Sequence, residues 1–179
     1  MKFYVFTLFI LMSFLSCKNK KIQSETIEQS TEKEVIELET TSLIQQAKDE
    51  FPDSLMVRLQ RTACFGRCPI YTLSIFQNGT AIYKGEKWVE KEGLFKSRVN
   101  KRQLEQIFSK AKEISFYKMK EQYDNAYITD LPSTITTLKT DSGFKIVANR
   151  YEGPEELQEL ERLIDDIANS LEWEQIKSE

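Results

Sequence analysis

Two cysteines in the stretch TACFGRCPIYTLSIFQNG, Cys64 and Cys68, are the side chains of this 179-residue chain whose type and spacing could do chemistry. A structural zinc site takes about four Cys or His ligands. The folded part holds no further cysteine, and the chain has no histidine at all. A thioredoxin-like dithiol separates its cysteines by two residues at a helix N-terminus, which lowers the first thiol's pKa. Here three residues intervene and a strand-like run follows. A C-x-x-x-C-P copper carrier shares its metal with a distant histidine, so only Cu(I) on two thiolates is left of that reading. A disulfide and a pair of free thiols remain. Gly66 supplies the backbone freedom for a tight loop, and an exported location favours the bond. Closing so short a loop stabilises by only about 2 kcal/mol. Its effect would be local, fixing the loop and the register of the strand that begins at Ile70. The expectation is a Cys64–Cys68 disulfide staple; the alternative is a thiol-active protein, exchanging disulfides or binding Cu(I) through the same pair.

The rest of the chain offers no reaction mechanism. Without histidine there is no side chain that ordinarily titrates near neutrality, and the commonest metal ligand is missing. No Ser or Cys has an evident activating base. Asp165 and Asp166 occupy consecutive helix positions facing different ways, which reads as solvated charge. We therefore expect no enzyme, no cofactor and no metal. Twenty-five basic residues against 28 acidic ones give a formal charge of -3, with no basic cluster. A nucleic-acid partner needs a concentrated positive stripe, so none is expected. The aromatic-rich segment SFYKMKEQYDNAYITDLP has no clear periodicity, and such irregular stretches often carry function. Tyr123, Tyr127, Asp130 and Pro132 form a candidate binding edge beside the cysteine loop. The competing reading has Phe116 and Tyr117 plugging the core while Asp130 caps a turn.

The N-terminal MKFYVFTLFILMSFLSC joins one lysine, an apolar run from Phe3 to Leu15, small Ser16 and then Cys17. That run is too short for a stable spanning helix and has the layout of a signal peptide. Phe14-Leu15-Ser16-Cys17 resembles a bacterial lipobox, with Phe14 where Leu is usual. The resemblance implies cleavage before Cys17 and acylation of its thiol, so membrane lipid becomes a partner through acylated Cys17. Several acyl chains hold a protein firmly where one does not. Residues 1–16 are thus expected to be a lipoprotein signal peptide. Residues 17–53, rich in Glu, Ser, Thr, Gln and Lys, bury too little apolar surface to fold and read as a mostly disordered linker. A short helix is expected in TSLIQQAKDEF, ended by Pro52. Residues 54–179 are the size of one domain.

Within that domain Leu55, Val57 and Leu59 alternate with polar residues, which predicts a strand. IYTLSIF predicts a second, with Tyr71, Leu73 and Ile75 on one face. Asn78-Gly79 predicts a tight hairpin turn with both residues at positive φ, returning as TAIYKG. KWVEKEG and LFKSRV predict another hairpin around Gly93. Asn100, with Gln103 three residues on, signals a capped helix start, followed by the stripe Leu104, Ile107, Phe108, Ala111 and Ile114. STITTLKT and FKIVANRY predict two more strands. A final helix starts at Pro154 as its first helical residue and buries Leu157, Leu160, Leu163 or Ile164, Ile167 and Leu171. This order predicts an α+β domain, a mostly antiparallel sheet with two helices packed on one face as a two-layer sandwich.

CFGRCPIYTLSIFQNGTAIYKG, YITDLPS and YEGPEELQELERLIDDIA together resemble the domain-of-unknown-function family 6438 of predicted bacterial lipoproteins. The shared pattern is C-F-G-x-C-P-x-Y, a glycine turn, then T-D-x-P. The resemblance implies a common fold and export, and carries no activity over. The expectation is a lipid-anchored cell-envelope protein acting by contact as a binding or structural module, with an envelope protein as partner. Presentation of a small enzyme inhibitor is a third reading. The basic residues after Cys17 favour the periplasmic face of the outer membrane, with surface exposure as the other location.

Overall fold

The computed structural model describes residues 51–128 and 130–177. The expected signal peptide, Cys17, nearly all of the linker and its short helix lie outside the described residues.

Eight strands form one sheet: β1 (Leu55–Arg61), β2 (Ile70–Phe76), β3 (Thr80–Lys87), β4 (Gly93–Arg98), β5 (Gln122–Tyr123), β6 (Thr134–Thr140), β7 (Gly143–Asn149) and β8 (Glu174–Gln175). Their spatial order is β5-β7-β6-β1-β2-β3-β4-β8, antiparallel throughout except for the short β5–β7 pair. Two helices, α1 (Lys101–Glu113) and α2 (Glu155–Asn169), interrupt the strand order. Alternation places Val57, Leu59, Leu73, Ile75, Ala81, Leu138 and Val147 on one face of the sheet. They share a single dry core with Ile107 and Ala111 of α1 and Leu157, Leu160 and Ile164 of α2. Both helices thus cover the same face, and the two-layer α+β sandwich expected from the sequence is what forms. The opposite face carries Arg58, Gln60, Thr72, Ser74, Lys84 and Glu86 along an open groove.

Several local signals act as expected. Asn100 caps α1: its side chain accepts from the Gln103 backbone N–H at 2.9 Å, while the Gln103 side chain accepts from the Asn100 N–H at 3.0 Å. Phe116, in a single 3-10 turn after α1, is fully buried and plugs the core, whereas Tyr117 is left partly exposed.

Other details differ. The Asn78-Gly79 hairpin is a three-residue connection in which the Gly79 N–H donates to the Phe76 carbonyl at 2.8 Å. Gly79 alone takes positive φ (80°), and the Asn78 side chain accepts from the Thr80 N–H. This is a type I turn closed by a left-handed glycine, which fits the sheet twist as well as the two-residue turn does. KWVEKEG is not a strand: β3 runs on to Lys87, Trp88–Glu92 form the connection, and Gly93 opens β4. Pro154 sits one place before α2, at its N-cap.

Candidate functional site

The apolar alternation of the inner sheet face ends in a polar row. Asn149 of β7 pairs with Thr134 of β6, Thr134 with Arg61 of β1, Arg61 with Tyr71 of β2, and Tyr71 with Gly85 of β3. Directly opposed residues share a face, so these five positions form a line across the sheet at one end. Arg61 continues the parity of Val57 and Leu59, and Tyr71 that of Leu73 and Ile75, so their side chains rise toward α2.

Helix α2 crosses this row with two carboxylates one turn apart, Glu161 and Asp165. Residues four apart lie on one helix face. Glu161 is only 5% exposed and accepts from Asn149 Nδ2 at 3.1 Å. Asp165 accepts from Arg61 Nη2 at 2.5 Å and from the Tyr71 hydroxyl. Arg61 also donates from Nε to the Tyr71 oxygen and from Nη1 to Thr134 Oγ1, each at 2.9 Å. All three guanidinium nitrogens are engaged, which fixes the group as a planar fork. The solvated charge expected for Asp165 is therefore corrected: its position beside α2's apolar stripe brings it onto Arg61 and Tyr71, and only Asp166 is left in water.

Burial sets the ionisation here. Burial first, and the Asp165 carboxylate second, push the Tyr71 phenol well above its usual range, so it stays a donor. Tyr83 is pushed up to about 12 by burial, then by Asp165 and Glu90. Burial raises Glu161 to about 7, against the opposing effect of the Asn149 hydrogen bond.

At the β3 end the row opens into a cleft. A Cβ on Gly85 would lie 1.8 Å from the Lys91 carbonyl oxygen, so the missing side chain is what lets the Trp88–Glu92 connection fold back over the strand. The cleft, about 430 Å³, lies between that connection and the C-terminal part of α2. Its walls are aromatic. Tyr83 stacks on Tyr71 with centroids 5.2 Å apart and meets Trp173 at 5.6 Å. The Trp173 indole is held by its N–H donating to the Ala168 carbonyl at 2.9 Å. Trp88 stands at the mouth, 47% exposed, with the Arg67 guanidinium 5.1 Å from its ring centre. Arg61 and Lys91 face Asp165 and Glu90, so the lining is formally neutral. The Tyr83 hydroxyl makes no hydrogen bond among the described residues. Aromatic walls around a fixed polar floor are common features of small-molecule sites.

The expected residues fall elsewhere. Cys64 and Cys68 face each other with Sγ atoms at bonding distance and Cα atoms 5.8 Å apart, a spacing that a disulfide requires. Their loop is tied to the segment before β6: Thr62 N–H donates to the Ser133 carbonyl at 3.0 Å, Ser133 N–H to Thr62 Oγ1 at 2.8 Å, and Phe65 N–H to the Asp130 carbonyl at 3.3 Å. Asp130 thus lies against the cysteine loop, with Pro132 exposed beside it. Tyr127 is 97% exposed, whereas Tyr123 packs partly against the core from β5. Of the four, Tyr123 alone packs against the core. Among the described residues, no three His, Cys, Asp or Glu side chains gather as a metal site. Arg61, Tyr71, Tyr83, Trp88, Asp165 and Trp173 were not legible as site residues. The available signal was parity, because Arg61 and Glu161 are polar residues in positions where the pattern calls for apolar ones.

Fold and site together define a small two-layer α+β domain with one polar row and one aromatic cleft at the same end of its sheet. No curated protein and no solved structure matches the chain. Residues 55–168 match the family model described as "Domain of unknown function (DUF6438)", and the chain belongs to that family. The match spans the whole polar row and leaves Trp173, the far wall of the cleft, just beyond it.

Proposed function

We propose that the chain is a lipid-anchored protein of the bacterial cell envelope, tethered through acylated Cys17, whose domain holds a ligand in the Tyr83–Trp173 cleft without transforming it. The lipobox-like FLSC and the apolar run before it support the tether; the periplasmic face of the outer membrane is the favoured location. The observation that carries the binding role is the state of the polar floor. Asp165 already accepts from Arg61 and Tyr71, and Tyr71 is held protonated. A general base must reach the ligand with a pKa near its operating pH, and a nucleophile needs a base. Glu161, the carboxyl raised to about 7, is buried and outside the cleft lining. Groups that satisfy one another make a rigid template for recognition instead. In this reading the Cys64–Cys68 disulfide is a staple, seating the loop whose Arg67 supports Trp88. Intact mass after alkylation of the folded protein in mild reductant reads no alkyl groups on Cys64 and Cys68 for the staple and two for a thiol-active pair.

The test uses the full chain in its own envelope, with a photo-crosslinking residue at Glu90 on the cleft rim or at Lys84 on the outer sheet face. The cleft reading expects a discrete adduct from position 90 alone, in the membrane fraction. Equal labelling from both positions, or adducts from position 84 alone, would overturn it.

A further inference from the structure

Resting on the reading of this cleft as a binding site, we infer that its ligand is a neutral saccharide. Three properties of the lining select that class. The first is charge. Arg61 is paired with Asp165 at 2.5 Å, and Lys91 and Glu90 add one charge of each sign, so the lining offers no net attraction to an ion. A quaternary ammonium needs aromatic walls with an uncompensated negative field, and an anion needs an uncompensated positive one among the lining residues. Neither is on offer here.

The second property is the aromatic surface. Trp88, Tyr83 and Trp173 all line the cleft. An aromatic face carries partial negative charge. It therefore attracts the slightly positive C–H groups that a pyranose ring presents on its flat side, and the contact also buries apolar area. A purely apolar ligand would gain the same burial but would strip water from the Tyr83 hydroxyl without replacing it, which is costly.

The third is the supply of neutral hydrogen-bonding groups at the rim. The Tyr83 hydroxyl has no partner among the described residues and stays protonated at any physiological pH. Asn169 adds an exposed amide on the α2 side. Groups that both donate and accept match hydroxyls, which do the same. The Tyr83 ring is held by its stacking on Tyr71, whose hydroxyl is fixed on Asp165, so little entropy is lost when a ring is bound.

The chain's two tryptophans, Trp88 and Trp173, both line the cleft, so intrinsic fluorescence reports its occupancy directly. The full chain in detergent is titrated with neutral trisaccharides (chitotriose, cellotriose, maltotriose and mannotriose), and separately with choline, inorganic phosphate and trialanine. The expected result is a saturable change in emission with at least one trisaccharide, at a Kd below about 1 mM, and none with choline or phosphate. Tyr83→Phe keeps the stacked ring and removes only the hydroxyl, so it should weaken binding about tenfold. Asn169→Ala should weaken it too, while Lys84→Ala on the outer face should not. Saturation by choline, phosphate or trialanine with no response to any trisaccharide overturns the saccharide and leaves the cleft as a binding site. Silence toward every probe overturns the saccharide as well, and crosslinking from position 90 then decides the cleft separately. Trisaccharide binding that Tyr83→Phe and Asn169→Ala leave intact would place the sugar outside this cleft and overturn the inference.

Discussion

Glu161 is a carboxyl group withdrawn from water against the sheet, facing Asn149 of β7 and Arg61 of β1, with Asp165 and Arg162 on its own helix. Its pKa rises from 4.5 to about 7 on folding, with burial the largest cause. Between those values the native state holds a proton that the unfolded chain has released, so stability falls as pH climbs. The contribution is fully present below pH 4.5 and is lost by the time pH has passed 7. Urea unfolding of the wild type should show about 2–3 kcal/mol lost to this group between pH 5 and pH 8. Glu161→Gln keeps an acceptor for Asn149 and should flatten that slope; an unchanged slope would contradict the assignment. Asp165 matters through the partners that it holds, Arg61 and Tyr71. Asp165→Ala leaves the Arg61 guanidinium and the Tyr71 hydroxyl facing a half-dry gap and should cost about 2 kcal/mol. Adding Tyr71→Phe to that variant should cost less than it does in the wild type, because the bond to Asp165 is already gone and only the one accepted from Arg61 Nε is left to lose. Full additivity in the double-mutant cycle would show that the contact is not energetically real.

At the scale of elements, the sheet's inner face was readable because period-two alternation needs only local sequence. Leu55, Val57 and Leu59 announce β1 without reference to anything else. Helix α1 was readable for a similar reason, since Asn100 and Gln103 satisfy each other within one turn. The cleft was not, because its geometry is set by a vacancy. Nothing local in KWVEKEG says that it must fold back; Gly85, several residues earlier, makes room for it. Gly85→Ala should therefore displace the Trp88–Glu92 connection, lower stability by about 1–3 kcal/mol by overpacking, and shift tryptophan emission. A Gly85→Ala domain with wild-type melting and emission would refute the close approach. β5 and β8, two residues each, are too short to show any alternation. Asp165 was misread because its partners, Tyr71 and Arg61, lie 94 and 104 residues away along the chain.

For the whole molecule, the proposed reading gives a lipid tether to the N-terminal segment and a binding cleft to the domain. The apolar run and the cysteine behind it stand out in the sequence because targeting signals are written in composition. A cleft lined from three strands, a connection and a helix is written in none of them singly. Cys17→Ala should move the protein from the membrane fraction to the soluble fraction while leaving trisaccharide titrations unchanged; retention in the membrane would refute the acyl anchor. Amide hydrogen exchange, compared between the full chain in its native envelope and the same chain purified in detergent, tests the cleft most directly. Binding at the cleft predicts slower exchange in the envelope across Trp88–Glu92 and Ala168–Trp173, with the outer-face strands unchanged. Protection confined to Asp124–Ser133 or to the outer sheet face, with those two segments exchanging alike in both states, would contradict it.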